Sequence, residues 1–463
     1  MTATHFISGA LLLWIVGFEA YRRMTMQPFS MLSMVHLLFV LGYCIPPFWI
    51  YFVMGTSLET GPYYEHALFI IPFYQQLDFA NEVYRSASLH AVLLYVIMMF
   101  GYWAIGRLKV WTSPRNFDRI PRSWIVLCGV VLGALSLVAL VVYAAQFGSL
   151  TGMIEAGREI RAGRMDVRWG FLQIIVLLGI PATIFLSAAG SKMSGKMRVL
   201  MWTLAALVWW FVALRAYHSA GRLTIFTFLA FMPLGVIFYL GFKNRWAVSG
   251  FAMLLITGLF VAAAPQILFS SVGAGFQETL SALSTKGGQS ILYILNEFAF
   301  PYLVSARTPM IAPDVISYRY FVDIPLTGAY MLPSLSGTDT WPPLISHLHQ
   351  ATLTGFSPRA LQLMPIDLVS FGYYNLGTLG VAITGLVFGG LISAFEKWLS
   401  PGSGLLAQLL RAAWMLYIPF LVLYAAPYTM VKAGFGLIVG TVLVLVMVWL
   451  SRFRASDQAS WET

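Results

Sequence analysis

"WIVLCGVVLGALSLVALVVYAAQF", residues 124–147, carries no charged side chain and is apolar on every side of a helical wheel. At about 1.5 Å per residue, roughly 20 such residues cross the hydrocarbon of a bilayer, and a helix without a polar face has no place on a soluble surface. Runs of the same kind recur at 5–21, 31–53, 88–106, 169–190, 199–214, 223–242, 246–265, 371–394, 411–429 and 433–451. The chain is 59% hydrophobic, 15% aromatic and only 10% charged. This is the balance of an all-α polytopic membrane protein with about eleven transmembrane helices, within a range of roughly 10 to 14. A β-barrel is excluded, because its strands alternate in polarity over about ten residues and these runs do not. Cys44 and Cys128 both fall inside apolar runs, so they imply neither a disulfide framework nor a zinc site. The first run has no basic residue before it and Arg22 and Arg23 after it, the reverse of a cleaved leader, and reads as a retained span.

Orientation follows from the short basic loops at 107–122, 191–198 and 243–245 and from "RFR" at 452–454. All of them fall on one side of this threading, and the positive-inside rule makes that side the cytoplasm. The expected protein is therefore a multi-pass membrane protein, N-terminus out and C-terminus in. The net charge of +10 belongs to loops facing anionic membrane lipids, and no nucleic-acid partner is expected.

Two outer loops break the rule. "GREIRAGRMDVRWG", residues 157–170, holds Arg158, Arg161, Arg164 and Arg168, and "RAYHSAGR", residues 215–222, holds Arg215, His218 and Arg222. Positive charge in a short translocated loop opposes the topogenic preference, so a compensating anion is the simplest reason to keep it. On one helix, spacings of 3, 3 and 4 would gather the first four guanidinium groups within roughly a 120° arc. The planar fork of arginine grips two phosphate oxygens at once and stays charged at any relevant pH. The bland alternatives are a salt-bridged surface helix, given Glu155, Glu159 and Asp166 nearby, and a pair of span-end anchors at Arg215 and Arg222. Lys286 and Lys432 are the lysines of that side.

Between the spans, 266–370 forms one long outer segment, expected to consist of short helices roofing a cavity. Three parts follow: an N-terminal bundle at 1–265, the loop at 266–370 and C-terminal helices at 371–463. The loop holds Glu297, Asp314, Asp323, Asp339, His347, His349, Asp367, Arg307, Arg319 and Arg359. A His or a carboxylate of raised pKa among them is the expected base. His347 and His349, two apart, face away from each other if helical, which disfavours a metal pair. No Asp-x-Asp, P-loop or GxGxxG opening a helix is present, so no metal site, ATP or nucleotide cofactor is signalled, and a pre-activated lipid-linked substrate becomes the energy source.

The layout, with "HSAGRLTIF" at 218–226 and "GFSPRALQLMPIDLVSFGYYNLGTLGVAITGLVFGGL" at 355–391, resembles the Wzy-type oligosaccharide repeat-unit polymerases of O-antigen and exopolysaccharide assembly. The Gly-x-x-Gly of the second stretch, Gly377 and Gly380, permits a tight backbone approach. Asp367 stands where members often have Glu, no Arg-x10-Gly spacing runs from Arg158 or Arg161, and His347 lies eight residues before Gly355. The resemblance implies a GT-C-like membrane glycosyltransferase using no cofactor. It would transfer a glycan from undecaprenyl pyrophosphate to a new lipid-linked repeat unit on the periplasmic face. Its partners would be those lipid-linked oligosaccharides, membrane lipids and a chain-length regulator. Arg158, Arg161, Arg164, Arg168, Arg215, His218, Arg222 and Arg359 are the expected substrate contacts, and His347, Asp367 and Glu297 the base candidates. An O-antigen ligase and a lipid-linked oligosaccharide flippase are the rival readings.

Overall fold

The computed structural model describes residues 3–25, 29–55, 82–108, 117, 120–161, 165, 167–218, 222–240, 298–331, 342–354, 365–399 and 404–461. Every regular element among them is helical. Nine helices among the described residues are long and apolar enough to cross a membrane: Ala3–Met24, Met31–Ile50, Glu82–Arg107, Arg122–Ala145, Leu172–Ser191, Gly195–Ala216, Leu368–Trp398, Leu405–Val422 and Pro427–Ser451. Eight of these coincide with runs read from the sequence, and the ninth, Leu405–Val422, overlaps the run at 411–429. The run at 223–242 is the helix Arg222–Leu240, and that at 246–265 lies outside the described residues.

One span is displaced from its expected place at 411–429. The helix runs from Leu405 to Tyr417 and continues as a 3-10 turn over Ile418–Val422. Arg411 marked the expected start, but it sits inside the helix with its guanidinium 4.9 Å from the centre of the Phe238 ring. A cation on an aromatic face is at home in an apolar setting. Pro419 then withholds a backbone donor, and the next helix opens at Pro427, the position where a proline costs a helix least.

The chain folds into two compact units, one of residues 1–109, 286–396 and 418–430, the other of 110–285, 397–417 and 431–463. The second is built around the helix Gly179–Ser191, whose residues from Pro181 to Gly190 are all buried. Having no polar face, it takes the centre. It packs against Arg122–Ala145, Gly195–His218 and Leu405–Tyr417, and the last of these also covers Arg222–Leu240. Ser136 donates to the Val176 carbonyl at 2.6 Å and Thr183 to that of Gly179 at 2.8 Å, which satisfies these two buried hydroxyls.

In the first unit the helix Met31–Phe39 is opened by a reciprocal cap between Ser30 and Ser33. Glu19, on the first span, accepts from Arg22 at 2.7 Å and pairs with Arg23 at 3.2 Å and His36 at 2.7 Å. A carboxylate at such a depth needs partners of this kind. Glu396 is held likewise by the Tyr102 hydroxyl at 2.6 Å and the Leu32 amide at 2.9 Å. Gly385 and Gly389, one turn apart, let Leu368–Trp398 touch the backbone of Glu82–Arg107: a Cβ on Gly385 would stand 2.7 Å from the Leu94 carbonyl oxygen.

Leu368–Trp398 is itself two helices meeting at Leu376 and Gly377, the latter at φ 60° and ψ −144°. That corner of conformational space is essentially reserved for glycine. The carbonyls freed by the break are taken up, Tyr374 by the Arg319 amide at 2.9 Å and Asn375 by that of Tyr320 at 3.2 Å. The Asn375 side-chain oxygen receives the Phe321 amide at 2.5 Å. Across the bend Gly380 meets the Gly372 carbonyl, so the two glycines singled out in the sequence do permit a tight backbone approach. A Cβ at Gly377 would also stand 2.9 Å from the Tyr318 hydroxyl. Gly377→Ala is therefore expected to destabilise the purified protein by about 1–3 kcal/mol, read as a fall in unfolding temperature. An unchanged value would mean the break does not depend on glycine.

Candidate functional site

The first of the two arginine-rich loops begins as the helix Leu150–Arg161. Gly148, at φ 79°, turns the chain out of the preceding span, and Ser149 caps the new helix by accepting the Gly152 amide at 2.9 Å. Met153 and Gly157 are buried on it, and they meet the end of Gly195–His218. The Met153 carbonyl lies 2.5 Å from His218 Nδ1, and a Cβ on Gly157 would stand 3.0 Å from that same nitrogen. The two loops that break the charge rule are thus in contact with each other.

His218 sits in a fixed chain of hydrogen bonds. A carbonyl only accepts, so Nδ1 carries the proton toward Met153, and Nε2 of the neutral ring accepts from the Tyr143 hydroxyl at 2.9 Å. Tyr143 in turn receives Gln173 Nε2 at 2.5 Å. Every polar atom of the neutral ring is satisfied, and the charged ring would have one donor too many. Burial, with the nearby Arg215 charge assisting against the Met153 bond, lowers the His218 pKa to about 4.

Arg215 lies one turn earlier on that helix and is 5% exposed. Its Nε has no hydrogen-bond partner, and no ion pair reaches it among the described residues. Glu155 is the carboxylate of this unit whose side chain is described, and it is exposed. Taking a guanidinium out of water without a negative partner costs several kcal/mol, and among the described residues none reaches Arg215.

The other expected residues fare differently. Arg158, Arg161 and Arg222 are placed in helices by their backbone alone, and Arg164, Arg359, Glu297 and Asp339 lie outside the described residues. Arg168 is exposed in a turn at 168–171, so one continuous helix does not carry all four arginines. Gly163 and Gly170 weaken helix in this stretch.

In the first unit Asp367 is fully buried and caps Leu368–Trp398. It accepts from the amides of Val369 at 3.0 Å and Ser370 at 3.2 Å, from the Ser370 hydroxyl, and from Tyr43 at 2.5 Å. Burial outweighs these donors and raises its pKa to about 6. His347 and His349 share the helix Ile345–Thr354 and point apart, as a spacing of two on a helix requires. His349 is sealed, its Nδ1 2.5 Å from the Tyr374 hydroxyl, and burial together with Arg307 lowers its pKa to about 3. His347 stays partly exposed beside Tyr330, its pKa lowered by burial against the pull of Asp323. Asp323 and Arg319 form a two-point pair at 3.0 Å, and Asp323 also takes the Ile345 amide at 2.9 Å, which ties the loop together. Asp314 is exposed. Among the described residues no three His, Cys, Asp or Glu side chains are grouped to hold a metal.

Sequence reasoning missed the supporting cast: Tyr143, Gln173 and the Met153 carbonyl. Their signal was weak, because a Tyr or Gln at a span end is ordinary. Comparison with protein-family profiles, with curated proteins and with solved structures finds no match for this chain.

The pKa of His218 gives a pH dependence of defined sign. An unfolded imidazole takes up a proton near pH 6.5, and His218 in place resists until about 4. Stability is therefore lost as pH falls through that window, by roughly 3 kcal/mol for a shift of this size. The buried His349 acts in the same sense and Asp367, raised, in the opposite one between about 4 and about 6. The unfolding temperature should drop from pH 7 to pH 5, and the drop should shrink in His218→Gln. An equal drop in that variant would contradict the assignment.

Proposed function

We propose that this chain is a membrane glycosyltransferase. In this reading it polymerises oligosaccharide repeat units carried on undecaprenyl pyrophosphate, at the outer face of the bacterial inner membrane. One observation carries the reading: a buried Arg215 with an unpaired Nε, on the helix end against which the helix of Arg158 and Arg161 docks. A diphosphate is the ligand that suits such a place.

In the reaction the bond between the anomeric carbon of the growing glycan and the diphosphate oxygen breaks, and its electron pair stays on the diphosphate. The hydroxyl oxygen of the acceptor sugar forms the new bond to that carbon. Its proton goes to a base and on to water. The leaving diphosphate gains negative charge, so guanidinium groups already in place favour the transition state over the bound substrate. Within the first unit, His347 is the base candidate that keeps access to solvent, since Asp367 is engaged as a helix cap and His349 is sealed.

A flippase for the same lipid has one observation in its favour, the broken helix at Leu376–Gly377, since discontinuous helices line transporter sites. Against it, the carbonyls at the break are already bonded to the amides of Arg319 and Tyr320, leaving little with which to hold a travelling substrate.

Purified protein given lipid-linked repeat units alone should lengthen them. Arg215→Gln should slow this by about 100- to 1,000-fold while the protein still inserts and folds. Undiminished extension would remove Arg215 from the site. Deleting the gene should leave lipopolysaccharide with a single repeat unit, whereas bare core would make the protein a ligase.

A further inference from the structure

We infer that the segment 315–324 lies in the headgroup boundary of the bilayer with Tyr320 as its anchor, so that the partner of this surface is phospholipid. The inference stands apart from the polymerase reading and needs no assignment of inside and outside.

The break at Leu376 and Gly377 sets the depth. At about 1.5 Å per residue the stretch from Gly377 to Trp398 is about 33 Å long, enough by itself to cross roughly 30 Å of hydrocarbon. It carries no charged residue before Glu396, and Leu379 and Val387 on it are exposed, as lipid-facing side chains are. The break therefore falls at one boundary of the bilayer, where irregular backbone is admitted once its polar groups are bonded. The segment 315–324 is tied to that boundary, because the amides of Arg319 and Tyr320 are the ones that bond the carbonyls of Tyr374 and Asn375.

Two consecutive aromatic residues of this segment hold left-handed backbone, Tyr320 at φ 50° and Phe321 at φ 60°. For bulky side chains that conformation is costly, and it persists only where the surroundings dictate it. Here Asn375 dictates it. Its side-chain oxygen takes the Phe321 amide at 2.5 Å, while its Nδ2 donates to the Phe371 carbonyl at 2.7 Å. The Phe321 ring turns in against Phe371, 6.0 Å between centres, and Tyr320 is left 70% exposed. Val315, Val322 and Ile324 of the same segment are exposed as well. A glycine or an asparagine would make this turn with less strain, so the aromatic side chain is kept for what it touches. Tyrosine suits a headgroup boundary, its ring among acyl chains and its hydroxyl among phosphates and water. Arg319 brings no free charge to this surface, since it is paired with Asp323 at 3.0 Å.

The test uses the full-length protein in vesicles of phosphatidylcholine and phosphatidylglycerol, with a nitroxide label on Val322→Cys or on Ile324→Cys in a Cys128→Ala background, Cys44 being buried. Collisions with oxygen, which concentrates in lipid, and with a nickel chelate, which stays in water, report where each label sits. Oxygen should be favoured at both positions by about threefold or more, as burial among acyl chains implies. Tyr320→Asn should leave the unfolding temperature in detergent no lower and cut the oxygen preference at Ile324 about twofold or more, as loss of an interfacial anchor implies. Preference for the nickel chelate at either position would place the segment in water, and shielding from both reagents would give the surface to protein. An oxygen preference untouched by Tyr320→Asn would remove the anchor, and a lowered unfolding temperature in that variant would make the ring a packing residue. Each of these four results overturns the inference.

Discussion

A guanidinium withdrawn from water must find negative charge or hydrogen-bond acceptors, and Arg215 is withdrawn with its Nε unpartnered and no ion pair among the described residues. The rest of its unit keeps it so. Gly179–Ser191 fills the centre with apolar side chains, Gly195–His218 packs along it, and the end of that helix is then closed over by Leu150–Arg161 through Met153 and Gly157. The bond from His218 to Met153 fixes that lid, and the Tyr143 and Gln173 bonds behind it hold the ring neutral. Among the described residues no carboxylate reaches Arg215.

The first unit shows that the chain is able to satisfy charge at depth. Arg22 has Glu19, Asp323 has Arg319, Asp367 has Tyr43 and two backbone amides, and Glu396 has Tyr102. Each of these removes a cost of burial that would otherwise fall on the fold. Set beside them, Arg215 is the exception among the buried charges of the described residues, and the proposed diphosphate site rests on that exception. The same contrast separates the two histidine environments. His349 is locked to Tyr374 beneath the surface, and His347 on the same helix keeps access to solvent.

Much of the fold was legible because apolar runs about 20 residues long have few alternatives. The displaced span at Leu405–Val422 shows the limit: Arg411 on an aromatic face and Pro419 within the turn looked like loop and span, and tertiary contact reversed both. Gly377 and Gly380 were legible as a close approach because glycine spacing reports backbone geometry directly, whereas the fully buried cap at Asp367 read as a base, since sequence does not reveal what a carboxylate touches. The positive charge of the outer loops pointed to Arg215 and His218, but their meeting with Met153 and Gly157 depends on tertiary packing.

Native mass spectrometry of the protein extracted from membranes addresses the central claim directly, by weighing what travels with it. Wild type should carry a polyprenyl diphosphate, with or without its glycan, and Arg215→Gln should have lost it. Equal retention by both proteins, or only glycerophospholipid on the wild type, would contradict the claim that the buried guanidinium is matched by a lipid diphosphate.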